Sequence, residues 1–305
     1  MSNSFINTKG KEIALKRAYT PNASLSSTEY LPPTKFKLGV GSNTMTLSDT
    51  DLTHAVPIDD GTVLDDGTNT LTGSSGGNNS TDNTTRYKPV PGIATPDLKA
   101  QNLITNTSNA SKIWTVAALS TNATATQYTG LWIYIKDQTT LDYFLTSGTC
   151  LEIKLGSDTS NYYSKTYEAS DLTTGWNWLD LTVLNTNTET GTVSGNIDTF
   201  IITITTNNAT DSWAEGDVIY DLLRQWEDSD LIASYISGFP LFDMSNLEVE
   251  IQSFVNSVQA NGFDIDSIGL FNEDTVPLMH SISIINSSSK SNTDEFTFTT
   301  KDREL

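Results

Sequence analysis

Apolar residues in this chain recur mostly at every second position, in short runs broken by turn residues. The clearest run is Gly130-Leu131-Trp132-Ile133-Tyr134-Ile135, followed by Cys150-Leu151-Glu152-Ile153-Lys154-Leu155. Trp176-Asn177-Trp178-Leu179-Asp180-Leu181, Thr199-Phe200-Ile201-Ile202-Thr203-Ile204 and Asp217-Val218-Ile219-Tyr220-Asp221-Leu222 continue the series. Side chains alternate between the two faces of a strand, so each run offers at least one apolar face. Gly156-Ser157-Asp158, Thr174-Gly175 and Glu215-Gly216-Asp217 supply turns between them. Several strands separated by turns, with little helix, predict a β-sandwich of jelly-roll type over 96–228.

On either side the pattern is sparser. Residues 1–95 offer Glu12-Ile13-Ala14-Leu15-Lys16-Arg17 and Lys35-Phe36-Lys37-Leu38-Gly39-Val40-Gly41 as short strands. They then pass into a polar tract, from Asp59 to about Thr85, that holds too little apolar surface to offset its ordering entropy. That tract reads as a long polar linker closed by Pro89, Pro91 and Pro96. In 229–305, Asn246 to Val258 fits two periods. Leu247, Val249 and Ile251 alternate as in a strand, whereas Leu247, Ile251, Phe254, Val255 and Val258 form a helical stripe. Ser245 and Glu248 are spaced as a capping box and Asn261-Gly262 as a stop, so periodicity alone favours the helix. Phe263 to Phe271 and Glu295 to Thr299 return to strand alternation.

Composition narrows the function classes. The chain of 305 residues has 36% hydrophobic and 18% charged residues, with much of the remainder Ser, Thr and Asn. Extracellular and particle-associated β proteins have this character. Seventeen basic residues against 37 acidic ones give a net charge of −20. Nucleic acid is excluded as a partner on that ground, because its affinity rests on Lys and Arg releasing counterions. An anionic membrane surface is disfavoured for the same reason, and no segment approaches the roughly 20 apolar residues of a membrane helix. Met1 to Gly10 lacks the apolar run of a secretory leader. With one cysteine, Cys150, no intrachain disulfide or thiolate cluster forms, and a small buried hydrophobe is its expected role.

Three stretches together resemble the anchoring domains of tail fibres and appendages of tailed bacteriophages. They are Phe5-Ile6-Asn7-Thr8-Lys9-Gly10-Lys11-Glu12-Ile13, then Pro33-Thr34-Lys35-Phe36-Lys37-Leu38-Gly39-Val40-Gly41 leading to Asp49-Thr50-Asp51-Leu52 and Val56-Pro57-Ile58, and finally Gln259 to Asn272. Where the family carries a second Gly-rich turn of Gly-Thr-Gly-Thr type, this chain has Gly41-Ser42-Asn43-Thr44. The resemblance implies a small β-rich anchor domain made of 1–95 and 229–305, with the sandwich inserted between its parts. It also implies a strand over 246–258, against the helical stripe. A virion location, other virion proteins as partners and a homotrimer follow from the same resemblance. The middle region is similar to carbohydrate-binding jelly rolls of phage particles and polysaccharide-degrading enzymes, through Leu131 to Asp137, Gly175 to Leu179 and Gly216 to Asp221.

Candidate chemistry is limited. His54 and His280 are the only histidines, and neither falls in a nucleophile-elbow or metalloprotease pattern. No catalytic residue is assigned and no enzyme is expected. Glu152, Asp180, Glu215 and Asp217 could in principle supply the two acids, about 5–9.5 Å apart, of a glycoside hydrolase, but nothing in their spacing selects a pair. A structural calcium ion suits hard oxygen ligands, with Asp158, Asp217 and Asp221 as candidates, though turn capping explains each equally. For a host-surface polysaccharide, Tyr162, Tyr163 and Trp213 stand in polar, turn-rich stretches as expected of exposed stacking residues. Trp176 and Trp178 share one face of their strand and are either sandwich core, the favoured reading, or a sugar platform. Three functions stand in order: a virion component presenting a jelly roll, a purely architectural decoration protein, and a glycan-degrading module.

Overall fold

The computed structural model describes residues 3–6, 10–11, 33–40, 51, 52, 54–59, 61–67, 71–74, 77, 100–105, 109–245, 248–272 and 279–303. The protein is mostly β and divides into two compact units. The first comprises Met1–Asp60, Pro89–Thr95 and Asp228–Leu305; the second comprises Gly61–Lys88 and Pro96–Glu227. In chain order, β1 (Asn3–Ile6), β2 (Lys35–Gly39) and β3 (Ala55–Val56) belong to the first unit. The second unit holds β4 (Thr62–Asp65), β5 (Thr72–Ser74), β6 (Gln101–Asn102), β7 (Ser111–Val116) and β8 (Tyr128–Ile135). It continues with the single-turn helix α1 (Gln138–Leu141), β9 (Thr149–Gly156), β10 (Tyr162–Glu168) and β11 (Gly175–Val183). β12 (Thr188–Thr190), β13 (Thr199–Thr205) and β14 (Val218–Trp226) complete it. Back in the first unit lie β15 (Ala233–Ser234), β16 (Leu241–Asp243), β17 (Glu248–Val255), β18 (Asp264–Phe271), β19 (Met279–Ser289) and β20 (Phe296–Arg303).

The second unit is a sandwich of two antiparallel sheets, ordered β12-β10-β9-β13-β7-β5 and β11-β8-β14-β4, with β6 also paired to β14. Consecutive strands keep changing layer, from β7 to β8 to β9, from β10 to β11 to β12 and from β13 to β14, which is jelly-roll wiring. Leu151, Ile153 and Leu155 of β9, with Phe200, Ile202 and Ile204 of β13, face Leu131, Ile133 and Ile135 of β8 across a continuous core. Each such side chain contributes about 1.5–3 kcal/mol on burial. On the opposite side of β9, Glu152 and Lys154 remain half-buried and ion-paired at 3.1 Å. All nine residues of β14 are buried. A strand covered on both faces loses its polar-out alternation, and in β14 Asp221, Arg224 and Gln225 are buried along with the apolar residues.

Residues 61–67 and 71–74 fall within the stretch read as a polar linker, yet they supply strands. β4 pairs with β14 and β5 with β7, and Leu64 and Leu71 are fully buried. A short polar segment needs no core of its own when it adds to an existing sheet edge. The ladder satisfies its backbone, and one apolar residue anchors it.

In the first unit, one sheet runs β1-β19-β18-β2-β15, with β3 on β2, and a second runs β16-β17-β20. Residues 248–255 are a strand, as the resemblance implied, and not the helix favoured by the apolar stripe. β17 pairs with β20 in unbroken register from Glu248↔Arg303 to Val255↔Phe296. Ile251, Ser253 and Val255 are buried while Phe254 is exposed, the period of a sheet. Eight consecutive cross-strand pairs outweigh the few tenths of a kcal/mol that separate helix propensities of single residues. Asn246 and Leu247 lie outside the described residues. Among the described residues, no helix is long and apolar enough to cross a membrane.

Candidate functional site

The five-stranded sheet turns Leu131, Ile133 and Ile135 of β8 and Leu179 and Leu181 of β11 into the sandwich core. The intervening residues therefore face outward. Antiparallel register sets Trp176 opposite Tyr134 and Trp178 opposite Trp132. The Trp176 and Tyr134 rings meet edge-on with centroids 5.4 Å apart. Trp178 and Trp132 lie 5.1 Å apart, and Trp178 meets Trp226 of β14 at 5.7 Å. Tyr128 packs edge-on against Trp226 at 6.4 Å. Separations of this kind suit offset and edge-to-face aromatic pairs, each worth about 0.5–1.5 kcal/mol beyond area burial.

The cluster has a buried floor and an accessible rim. Trp132 and Trp226 are only 6% and 2% exposed, whereas Tyr134, Trp176 and Trp178 are half-buried. β11 is the edge strand of its sheet, so the rim lies where a ligand can reach it. Asn177 positions this strand. Its side-chain NH2 donates to the carbonyls of Ile133, Thr173 and Gly175, and its Oδ1 accepts from the Thr173 amide at 2.8 Å. These bonds hold the turn entering β11 and thereby set the two tryptophans that flank Asn177. Below the rim Tyr128 is buried, and burial first, then the Asp180 charge, raises its pKa well above the usual tyrosine value. Tyr128 is a neutral dipole there.

The aromatic residues named from sequence divide sharply. Trp176 and Trp178 lie outside the sandwich core, contrary to the favoured reading, because it is Asn177, Leu179 and Leu181 that take the inward parity. Trp213 is 5% exposed and belongs to the core, packed on Trp114 at 6.4 Å and Phe144 at 5.6 Å. Its Nε1–H donates to the Leu103 carbonyl, and its amide donates to the Thr105 hydroxyl at 2.8 Å. Tyr163, 9% exposed, is likewise core, set opposite Leu155. Neither is the exposed loop aromatic that its polar flanks predicted. Polar flanks show that the backbone meets water, and they leave the side-chain direction open. Tyr162 does stand half-buried on the outward face of the other sheet, with the Lys154 ammonium 4.7 Å above its ring. Its stacking face already carries a cation, and it is not part of the Trp176–Trp178 cluster.

The carboxylates named for calcium are separately engaged. Asp158 caps its own turn through the amides of Ser160 and Asn161, which with the Asn161 side chain holds its pKa below the usual carboxylate range. Asp217 pairs with Lys136 at 2.7 Å and accepts from the Ala214 amide. Asp221 is fully buried on β14. Among the described residues, no group of three His, Cys, Asp or Glu side chains is arranged to hold a metal ion. Sequence reasoning missed Trp132, Tyr134, Tyr128 and Trp226 as parts of one cluster. The signal was present in Leu131-Trp132-Ile133-Tyr134-Ile135, but a strand apolar on both faces does not reveal which parity points outward. No family model matches the chain, and no curated protein matches it.

Proposed function

We propose that the protein is a structural component of a bacteriophage virion, an appendage of tail, collar or head, whose jelly roll offers the Trp176–Tyr134–Trp178 rim to host-surface glycan. In this reading the first unit attaches to other virion proteins, the assembly is a homotrimer, and the protein binds without catalysing a reaction. The observation that carries the reading is the placement of the three stretches bearing the phage resemblance. Part of each is a strand of one sheet: β1, β2 and β18. β2 and β18 pair directly, from Ser267↔Gly39 to Phe271↔Lys35, and β19 bridges β18 to β1. Segments remote in sequence thus share one sheet, which supports the reading of a discontinuous domain. The rim supports the ligand class, because half-buried aromatic rings stack on the apolar faces of sugars while their edges stay wet. Several copies would convert weak single contacts into avidity.

The test joins two measurements on the purified full chain. Light scattering gives the mass in solution, and a screen against host-surface polysaccharides gives binding. A trimer that binds glycan, with binding weakened in Trp176→Ala and Trp178→Ala, is the expected result. A folded protein that binds no polysaccharide at any copy number would remove the glycan role and leave the architectural reading. Absence of the protein from purified particles would remove the virion assignment altogether.

A further inference from the structure

Two crossovers carry the chain between the two sheets of the first unit: 256–263, from β17 to β18, and 290–295, from β19 to β20. They are bonded to each other. The Gly262 amide donates to the Lys290 carbonyl at 2.8 Å, and the Lys290 amide donates to the Phe263 carbonyl at 2.9 Å. Beside this pair, Lys290 Nζ donates to Asn261 Oδ1 at 3.0 Å and to the Ser291 carbonyl at 2.8 Å. Both side chains are interior: Lys290 is 2% exposed and Asn261 0%. Asn261 Nδ2 is held by the carbonyls of Ser257 and Val258, each at 3.1 Å, which leaves the amide oxygen toward the amine.

A lysine this deep is rare unless paired with a carboxylate. Lys37, for comparison, meets Asp51 at 2.8 Å. Among the described residues, no carboxylate comes within ion-pair distance of Lys290. The Phe296 ring stands 5.9 Å from Nζ. Burial lowers the lysine pKa, and Asp294 and Glu295 oppose this from longer range. Burial thus shifts the amine toward its neutral, nucleophilic form, and the hydrogen bond holds it against an amide carbonyl.

We propose that Lys290 and Asn261 join in an intramolecular isopeptide bond. The neutral amine attacks Asn261 Cγ, the Nζ–Cγ bond forms and the Cγ–Nδ2 bond breaks. The proton given up by Nζ leaves on Nδ2, so that one ammonia is released. No oxidant, reductant or cofactor enters the balance. Fixing both partners by the backbone pair around them replaces a bimolecular encounter with a unimolecular step, which raises effective concentration by orders of magnitude. Asp294 and Glu295 are the carboxylates whose field reaches the amine. The bond staples the two crossovers together and so locks the layers of the first unit. It does not depend on the glycan reading.

One competing reaction has the same mass signature. Asn261 precedes Gly262, whose amide nitrogen can attack the same carbon and also expel ammonia, although here that N–H is committed to the Lys290 carbonyl. Intact mass under denaturing conditions, followed by proteolytic peptide mapping of the full chain, separates the two. The expected result is a mass one ammonia short, with a branched peptide linking Lys290 to Asn261 that is absent from Lys290→Arg and Asn261→Ala. A full-length mass with free Lys290 and Asn261 peptides overturns the proposal. So does a missing ammonia that persists in Lys290→Arg without a branched peptide. The wild-type map decides the question even where a variant fails to fold.

Discussion

Trp178 lies across Gly130: a Cβ placed on residue 130 would stand 2.3 Å from the indole ring. The glycine sits on β8 in register with Asp180, one diagonal step from the tryptophan. Its missing side chain is the seat of the ring, and it connects a single small residue in the strand to the geometry of the aromatic rim.

Gly130→Ala is therefore expected to push the Trp178 ring outward and to destabilise the second unit by about 1–3 kcal/mol, the usual cost of overpacking. Thermal melting measures the loss, and a change in near-ultraviolet circular dichroism reports the displaced indole. Unchanged melting and spectrum would show that the ring does not depend on that seat.

Rim and core tryptophans should separate in their effects. Trp213→Ala removes a buried ring and should cost about 3–5 kcal/mol of stability. Trp176→Ala leaves a half-buried position and should cost much less, yet weaken polysaccharide retention on the order of tenfold, as one aromatic stacking contact would. Affinity electrophoresis alongside melting curves distinguishes them. Equal stability losses with equal retention would dissolve the distinction.

Asn177→Ala should behave as a positioning variant. It strips the turn before β11 of the bonds that fix Thr173 and Gly175 and leaves buried carbonyls without their donor. A loss of about 1–3 kcal/mol follows from the unsatisfied groups. Glycan binding should weaken with the two tryptophans still present, and Asn177→Asp, which sets a carboxylate oxygen against the same carbonyls in place of the donor, should be no more stable than Asn177→Ala.

Stability should fall in alkali. Tyr128, Tyr167 and Tyr220 all have pKa values well above the tyrosine norm, first by burial and then through the charges of Asp180 for the first two and Asp65 for the third. Their folded pKa exceeds the unfolded one. The stabilisation is therefore complete below about pH 10 and is lost as pH rises toward the folded values. The Tyr220 hydroxyl donates to Asp65 Oδ2 at 2.9 Å, so Tyr220→Phe should lower stability at neutral pH and flatten the alkaline decline. Melting temperature from pH 7 to 11 measures both effects.

Cys150 is buried against the Tyr167 carbonyl at 3.4 Å, and burial raises its thiol pKa to about 11. Ellman's reagent at pH 8 should leave the native protein unlabelled and report one thiol per chain after denaturation. Rapid native labelling would contradict the packing of β9.

What the sequence determined was the kind of protein. Alternation at period two in Leu151-Glu152-Ile153-Lys154-Leu155 is a local property of the strand, so the sandwich and its layers of apolar residues were legible without coordinates. Cys150 was legible as a buried hydrophobe for the same reason. Tertiary structure decided whatever depended on partners remote in sequence. The apolar stripe around Ile251 could serve a helix or a strand until β20 paired with it along eight residues. The two strands in the supposed linker exist because β14 and β7 offered them edges. Trp213 went inward because Trp114 and Phe144, far away in the chain, left room for it, while Trp176 and Trp178 turned outward because their neighbours took the core. Periodicity records which residues share a face; only packing against the rest of the chain decides which face meets water.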